Sequence, residues 1–120
     1  MRYSIAVLFV LFLSMLAVGQ KNVKIINKGD LQGLMDQKSI QLVDVRTSNE
    51  YKEGSIKGAI NIDFWDPEFS KLMRANFDKK KPLVVYCAGG GRSAMACEKL
   101  SKQGFKILLD VDGGYEAYIE

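Results

Sequence analysis

The sequence predicts an α/β domain in which a mostly parallel, five-stranded sheet carries helices on both faces. Strand-like and helix-like segments alternate along residues 20–120, as they do in folds built from βαβ units. Residues 83–86 are continuously apolar, which is typical of a strand buried on both faces of a parallel sheet. A chain of 120 residues has room for one domain of this kind.

Short apolar runs that are separated by turn residues predict the strands. Pro82 stands directly before the run expected at the centre of the sheet. In chain order the strands are predicted at 23–26, 41–45, 59–62, 83–86 and 105–109.

Capping residues predict the first two helices. Asp30 lies near the start of the first, which runs to residue 35. Thr47 or Ser48 can cap the second, which Gly54 ends.

The later helices follow from start signals and helical spacing. Asp66-Pro67-Glu68 predicts a third helix with proline at its first position, because proline is preorganised there. The fourth helix is predicted from about Ser93 to Lys102, ended by Gly104, and a short fifth one over 115–119.

The first 19 residues are predicted to be a signal peptide. Arg2 precedes a long apolar run, and Ala17-Val18-Gly19 offers the small residues that a signal peptidase recognises. The alternative is an uncleaved N-terminal anchor, and the membrane is a partner only in that case. Both readings place the domain, residues 20–120, outside the cytoplasm; the expected location is the periplasm.

Charge and composition exclude several function classes. The formal net charge is +3 with no dense basic stripe, so nucleic-acid binding is not expected. The absence of His excludes Ser-His-Asp and Cys-His nucleophile pairs and His-based metal sites. No metal or other cofactor is expected.

The segment from Cys87 to Ala94 is the most informative part of the chain. It places a Cys after the predicted central strand, at the sheet edge where α/β domains bind ligands. The backbone N–H groups of the intervening loop can converge on one point, and Arg92 and the helix that follows add positive charge. These features favour the thiolate of Cys87. The loop residues expected to bind substrate are Ala88, Gly89, Gly90, Gly91, Arg92 and Ser93.

Four residues separate Cys87 from Arg92. Cysteine phosphatases and the arsenate reductases that share their loop have five, which makes a wider cradle for a tetrahedral oxyanion. The shorter loop favours a single extra sulfur atom carried on the Cys.

Three ordered signatures make the chain resemble a single-domain rhodanese, a sulfurtransferase. Cys87, Gly90 and Arg92 match a Cys-x-x-Gly-x-Arg loop. A second signature matches at Asp44, Arg46, Glu50, Tyr51, Gly54 and the run 58–62, and a third at Gly113, Gly114 and Tyr118. The chain departs from the family pattern at two positions, with Ser55 in place of the usual His and Tyr118 in place of the usual Trp.

The resemblance implies a double displacement through a Cys87 persulfide. A donor such as thiosulfate gives its outer sulfur to Cys87, and a thiol, cyanide or a sulfur-accepting protein then takes it. Arg92 is expected to hold an anionic donor. Asp44, Arg46 and Glu50 are expected to support the site, with Arg46 pairing with Glu50.

Two alternatives of another class stay open at this point. One is a non-catalytic persulfide carrier or anion-binding module. The other is a small cysteine phosphatase or arsenate reductase, which the short loop disfavours.

Two further groups of residues are expected to be structural. Cys97 is predicted to be a core residue rather than a resolving Cys for Cys87, because it lies more than one turn into the helix. Phe64, Trp65 and Phe69 are expected to cover the sheet or line the mouth of the site.

Overall fold

The computed structural model of the protein describes residues 22–37 and 40–120. The signal peptide predicted at 1–19 lies outside the described residues, so export and cleavage stay predictions. Within the described part of the chain, no helix is long and apolar enough to cross a membrane.

Five strands form a single sheet in the spatial order β1-β5-β4-β2-β3, and all of their pairings are parallel. The predicted fold class is therefore confirmed. The central strand β4 is buried along its whole length, as its apolar sequence predicts. The strands are β1 Val23–Ile26, β2 Gln41–Asp44, β3 Ile60–Asn61, β4 Leu83–Tyr86 and β5 Leu108–Val111.

Five described helices cover the two faces of this sheet. Because successive side chains of a strand point to opposite faces, the sheet has two separate apolar cores. One core packs against α3 and α4, and the other against α1, α2 and α5. The helices are α1 Lys28–Met35, α2 Ser48–Glu53, α3 Phe69–Asn76, α4 Gly91–Lys102 and α5 Gly114–Tyr118.

The predicted starts of α1 and α2 are confirmed, and the predicted start of α3 is wrong. Thr47 caps α2 in a reciprocal capping box with Glu50. Asp30 is the third residue of α1 rather than its cap, a position that Asn27 takes. Residues 66–68 form a separate turn, because the Asp66 side chain accepts a bond from the backbone N–H of Glu68; α3 therefore begins only at Phe69.

The last strand begins three residues later than predicted and ends two residues later. Gly104 has φ = +96° and turns the chain back at the end of α4. Phe105 then buries its ring, and its N–H donates to the carbonyl of Leu100, so this apolar residue belongs to the end of the helix. The ladder with β1 and β4 starts at Leu108 and includes Asp110.

The aromatic cluster of Phe64, Trp65 and Phe69 covers the sheet, which is one of the two roles expected for it. Phe69 is buried, and the Phe64 ring meets it edge-on with a centroid distance of 5.3 Å. Trp65 meets Phe64 at 4.8 Å but is 62% exposed.

Candidate active site

Cys87 directly follows β4 and lies at the carboxyl edge of the sheet, as predicted. Its side chain is buried with a residue exposure of 1%, so the sulfur lies beneath the loop rather than on the surface. The Sγ atom accepts a hydrogen bond from the backbone N–H of Gly90 at 3.0 Å. The thiol donates in turn to Oγ of Ser93 at 3.5 Å.

The loop reaches the sulfur because Gly90 adopts a conformation that L-residues avoid. Gly90 has φ = +117° and is the N-cap of α4, which begins at Gly91 rather than near Ser93. The Gly90 carbonyl accepts from the N–H of Ala94 and from the hydroxyl of Ser93. The helix therefore starts directly beside Cys87, with its positive end towards the sulfur.

The amino end of α5 holds the other side of the loop. The N–H of Tyr115 donates to the carbonyl of Cys87 at 2.8 Å, and that of Glu116 to the carbonyl of Ala88 at 3.0 Å. The first N–H groups of a helix have no partner within the helix, and here two of them donate to two loop carbonyls. The third sequence signature, Gly113-Gly114, lies in this segment, but the sequence alone assigns the segment no role.

Gly114 is required by this contact. Its φ is +60°, and a Cβ there would lie 2.4 Å from the Cys87 carbonyl oxygen and 2.6 Å from that of Ala88. We expect Gly114→Ala to lower the free energy of unfolding by at least about 2 kcal/mol, from the left-handed backbone and the forced shift of the loop. Urea denaturation measures this loss.

A matched control separates the two causes. Gly58 has φ = +88°, but a Cβ there would meet nothing within 4 Å. Gly58→Ala should therefore cost only about 1 kcal/mol, the penalty of the backbone alone. Equal losses for the two variants would show that the contact between α5 and the loop contributes nothing.

Arg92 forms a two-pronged ion pair with Glu50. Its Nη1 donates to Oε1 at 2.7 Å and its Nη2 to Oε2 at 3.0 Å. The predicted pairing of Glu50 with Arg46 is therefore wrong, because α2 turns the Glu50 side chain towards the loop and Arg46 has a nearer carboxylate. Arg92 still has three of its five N–H donors outside this pair. Its expected role in holding an anionic donor stays a prediction.

Asp44 and Arg46 form a buried ion pair beneath the site. The guanidinium Nη2 lies 2.7 Å from Oδ2 of Asp44 and also 2.7 Å from the carbonyl oxygen of Gly54. The same guanidinium lies 4.4 Å from the ring centroid of Tyr115. Arg46 thus connects the loop after β2 with the end of α2 and with α5. The supporting role expected for Asp44 and Arg46 stays a prediction.

The Arg92 guanidinium, with the N–H and hydroxyl of Thr47, holds the pKa of Glu50 at about 2, well below its usual 4.5. The folded state binds this proton less tightly than the unfolded chain does. The stabilisation that ionised Glu50 gives the folded state is therefore complete above about pH 5 and is lost as the pH falls towards 2.

We expect Glu50→Gln to lower the free energy of unfolding by about 1 kcal/mol at pH 7, since the pair is partly exposed and solvent screens it. The difference from the wild type should shrink between pH 5 and pH 2.5, because the wild-type carboxylate then becomes protonated more readily in the unfolded chain. Urea denaturation across this range measures it, with Glu53→Gln on the same helix as control. A difference that does not change with pH would contradict the assignment.

A cleft of about 300 Å³ opens beside the loop. Three glutamates make its lining net acidic, because both of the arginines near it are already paired with carboxylates. The lining residues are Arg46, Glu50, Glu53, Gly54, Ala88, Tyr115 and Glu116.

Cys97 is a core residue, as predicted. It is 1% exposed within the core between α4 and the sheet, and burial raises the pKa of its thiol. Both cysteines are free. Across residues 22–37 and 40–120, no three His, Cys, Asp or Glu side chains come together in a group that could hold a metal ion.

The two residues that depart from the family pattern lie after the end of α2 and on α5. Ser55 is partly buried just after the end of α2. The Tyr118 ring stacks on that of Tyr115, with centroids 6.2 Å apart.

Comparison with known proteins shows the family of this chain. A profile of the rhodanese-like domain matches residues 13–120. The chain belongs to the rhodanese-like family. It shares 34% identity over 97 residues with the thiosulfate sulfurtransferase GlpE of Shewanella oneidensis, covering 81% of this chain and 93% of that protein.

Other rhodanese-like proteins resemble the chain to a similar degree. A sulfurtransferase of Allochromatium vinosum is 32% identical over 87 residues, which cover 72% of this chain and 78% of the relative. The crystal structure of a rhodanese-related protein from Thermoplasma volcanium superposes with a TM-score of 0.69 at 35% identity. That match covers 80% of this chain and 90% of the other. The family therefore includes proteins named sulfurtransferases, and a rhodanese-related protein of the family has the same fold.

Proposed function

We propose that this rhodanese-like domain is a sulfurtransferase that uses Cys87 as its nucleophile. The thiolate attacks the outer sulfur of a donor such as thiosulfate. A new S–S bond forms at Cys87 while the donor's own S–S bond breaks, and sulfite leaves with that electron pair. A thiol or cyanide then attacks the terminal sulfur of the persulfide and releases the Cys87 thiolate. A sulfur-accepting protein is a further candidate acceptor.

One observation carries this proposal: the Cys87 sulfur lies at the start of α4 and accepts the Gly90 N–H at 3.0 Å. A backbone donor and a helix amino end stabilise negative charge on sulfur without a basic side chain. The sulfurtransferase names of the relatives support the same reaction class.

The test is the intact mass of the protein after incubation with thiosulfate. The expected result is an adduct of one sulfur atom that peptide mapping assigns to Cys87 and that cyanide removes. An unchanged mass with thiosulfate and with a low-molecular-weight persulfide as donors would refute the proposal. Hydrolysis of an aryl phosphate at a rate comparable to that of sulfur transfer would instead favour a phosphatase.

A non-catalytic carrier is the second candidate, and the burial of Cys87 favours it. A cysteine residue that is only 1% exposed is less accessible to an acceptor in solution. A carrier would form the same adduct but would not pass its sulfur repeatedly to small acceptors. Steady-state transfer to cyanide and to a small thiol separates the two, because only the enzyme turns over many times.

The acidic cleft should influence which donors are used. The Glu116 carboxylate approaches the loop so closely that a Cβ on Gly89 would lie 3.6 Å from its Oε2. Like charges repel by about 1 kcal/mol at 4 Å in water, so Glu116→Gln should lower KM for the thiosulfate dianion by about fivefold.

The effect of Glu116→Gln should disappear in high salt, where exposed charges are screened. Transfer from a neutral persulfide donor serves as control and should not change. An unchanged KM for thiosulfate at low salt would contradict a role of this carboxylate in donor choice.

We also propose that the domain works outside the cytoplasm, in the periplasm, after export by its apolar N-terminal segment. The segment's positive start, apolar run and small residues support this. The N-terminal sequence of the protein purified from its host tests it: a start near residue 20 indicates cleavage, and an intact start in the membrane fraction indicates an anchor. A full-length chain in the cytosol would overturn it.

A further inference from the structure

Asp110 is a carboxyl side chain inside an otherwise apolar strand. It lies on β5 beside Val85 of β4 and Ile25 of β1, and its exposure is 8%. Because residues two apart in a strand share a face, Asp110 points to the same side as Leu108, into the core beneath α4. A buried carboxyl in such a place is costly unless it is paired or serves a function.

The polar contacts of Asp110 lead towards the active-site loop. Burial raises the pKa of Asp110, a hydrogen bond with the Ser93 side chain lowers it, and the charge of Asp112 raises it again. Its Oδ1 has no hydrogen-bond partner within the described part of the chain. The titratable groups that face it from β4 and α4 are the thiols of Cys87 and Cys97, and its strand neighbour on β1 is apolar.

Ser93 lies between this carboxyl group and the nucleophile. Its Oγ is 3.5 Å from Sγ of Cys87 and accepts the thiol proton in a hydrogen bond. The hydroxyl has one proton of its own and two acceptors within reach, the Gly90 carbonyl at 3.1 Å and the Asp110 carboxyl. A hydroxyl turned towards Asp110 would link Sγ to the buried carboxylate through two successive hydrogen bonds.

We propose that Asp110 accepts the proton of Cys87 through Ser93 and so generates the nucleophile in a chain without His. The Cys87 proton passes to Oγ of Ser93, and the Ser93 proton passes to the Asp110 carboxylate. The products are a Cys87 thiolate and a neutral Asp110, so the number of buried negative charges does not change. The charge moves from beneath α4 to its amino end, where the Gly90 N–H stabilises it.

This inference rests on the proposed sulfur transfer, but it can be tested without a sulfur donor. The rate at which iodoacetamide alkylates Cys87, followed by peptide mass against pH, measures thiolate formation alone. We expect Asp110→Asn to slow alkylation near neutral pH by about a hundredfold or more, the lower end of what a general base contributes. The rate should recover in alkaline solution, where hydroxide removes the proton. Asp36→Asn, the same change at an exposed position that ends α1, should stay within about twofold of the wild type.

Two variants of Ser93 test the path itself. Ser93→Ala removes the hydroxyl and should reproduce the slow alkylation of Asp110→Asn, whereas Ser93→Thr keeps the hydroxyl and should restore most of the rate. This pair decides the question if Asp110→Asn does not fold.

Wild-type alkylation rates for both Asp110→Asn and Ser93→Ala at every pH would overturn the inference and leave Asp110 a structural residue. The proposed sulfur transfer fails separately, if thiosulfate and persulfide donors leave no adduct on a protein whose alkylation profile depends on Asp110.

Discussion

Cys87→Ser is expected to abolish sulfur transfer and to eliminate the one-sulfur adduct. A serine hydroxyl stays protonated at neutral pH, and the loop offers it no His to act as base. The rate of thiocyanate formation from thiosulfate and cyanide should fall by at least about a thousandfold, the scale on which loss of a nucleophile acts. Colorimetric detection of thiocyanate and intact mass measure the two losses.

The stability of Cys87→Ser should change little, because oxygen can accept the Gly90 N–H and can donate to Ser93 as sulfur does. Cys97→Ala is the matched control: it removes the second buried thiol from the same core but leaves the loop intact. It should transfer sulfur at close to the wild-type rate. If activity disappears with Cys97 and survives without Cys87, the nucleophile has been assigned to the wrong residue.

The sequence was sufficient to predict the sheet and the position of Cys87 because both depend on local patterns. A continuously apolar run such as Leu83–Tyr86 is buried wherever it lies in a parallel sheet. A Cys that follows such a strand and precedes a glycine loop lies at the carboxyl edge by topology alone. Neither conclusion needs knowledge of distant contacts.

The ion pairs were harder to predict because spacing along the chain does not show which way a side chain turns. Arg46 and Glu50 are four residues apart, but Arg46 is in the loop that follows β2 and Glu50 is on a helix. Arg46 therefore meets Asp44, its neighbour in the turn, while Glu50 reaches Arg92, which is 42 residues away. Only the tertiary fold brings the second pair together.

Asp110 shows a signal that was present and went unused. A single acid between Leu109 and Val111 is unusual in a buried strand. The prediction missed this signal because it ended β5 at Leu109, which left Asp110 in a presumed loop. The apolar Phe105 caused that error, since its ring is buried by the end of α4 rather than by the sheet.

Removing one partner of the buried pair Asp44–Arg46 should have the largest effect on stability. We expect Arg46→Met to lower the free energy of unfolding by about 3–5 kcal/mol, because it leaves a fully buried carboxylate without its counter-ion. The carbonyl of Gly54 also loses its donor. Urea denaturation at pH 7 measures the loss.

Two comparisons decide whether burial is the cause. Glu98→Gln breaks the exposed pair with Lys102 on α4 and should change stability by no more than about 0.5 kcal/mol. Combining Arg46→Met with Asp44→Asn removes the unpaired charge and should recover part of the loss, since a neutral amide is cheaper to bury than a carboxylate. A double variant no more stable than Arg46→Met would assign the loss to the Gly54 contact instead.

The same variant connects stability with the active site. Arg46 holds the carbonyl of Gly54, the residue that ends α2, and α2 carries the partner of Arg92. Loosening that end of the helix should free Glu50 and with it the side of the loop that Arg92 anchors. We therefore expect Arg46→Met to transfer sulfur more slowly even at temperatures where it is fully folded. If its folded fraction retains the wild-type rate, Asp44 and Arg46 stabilise the domain without shaping the site.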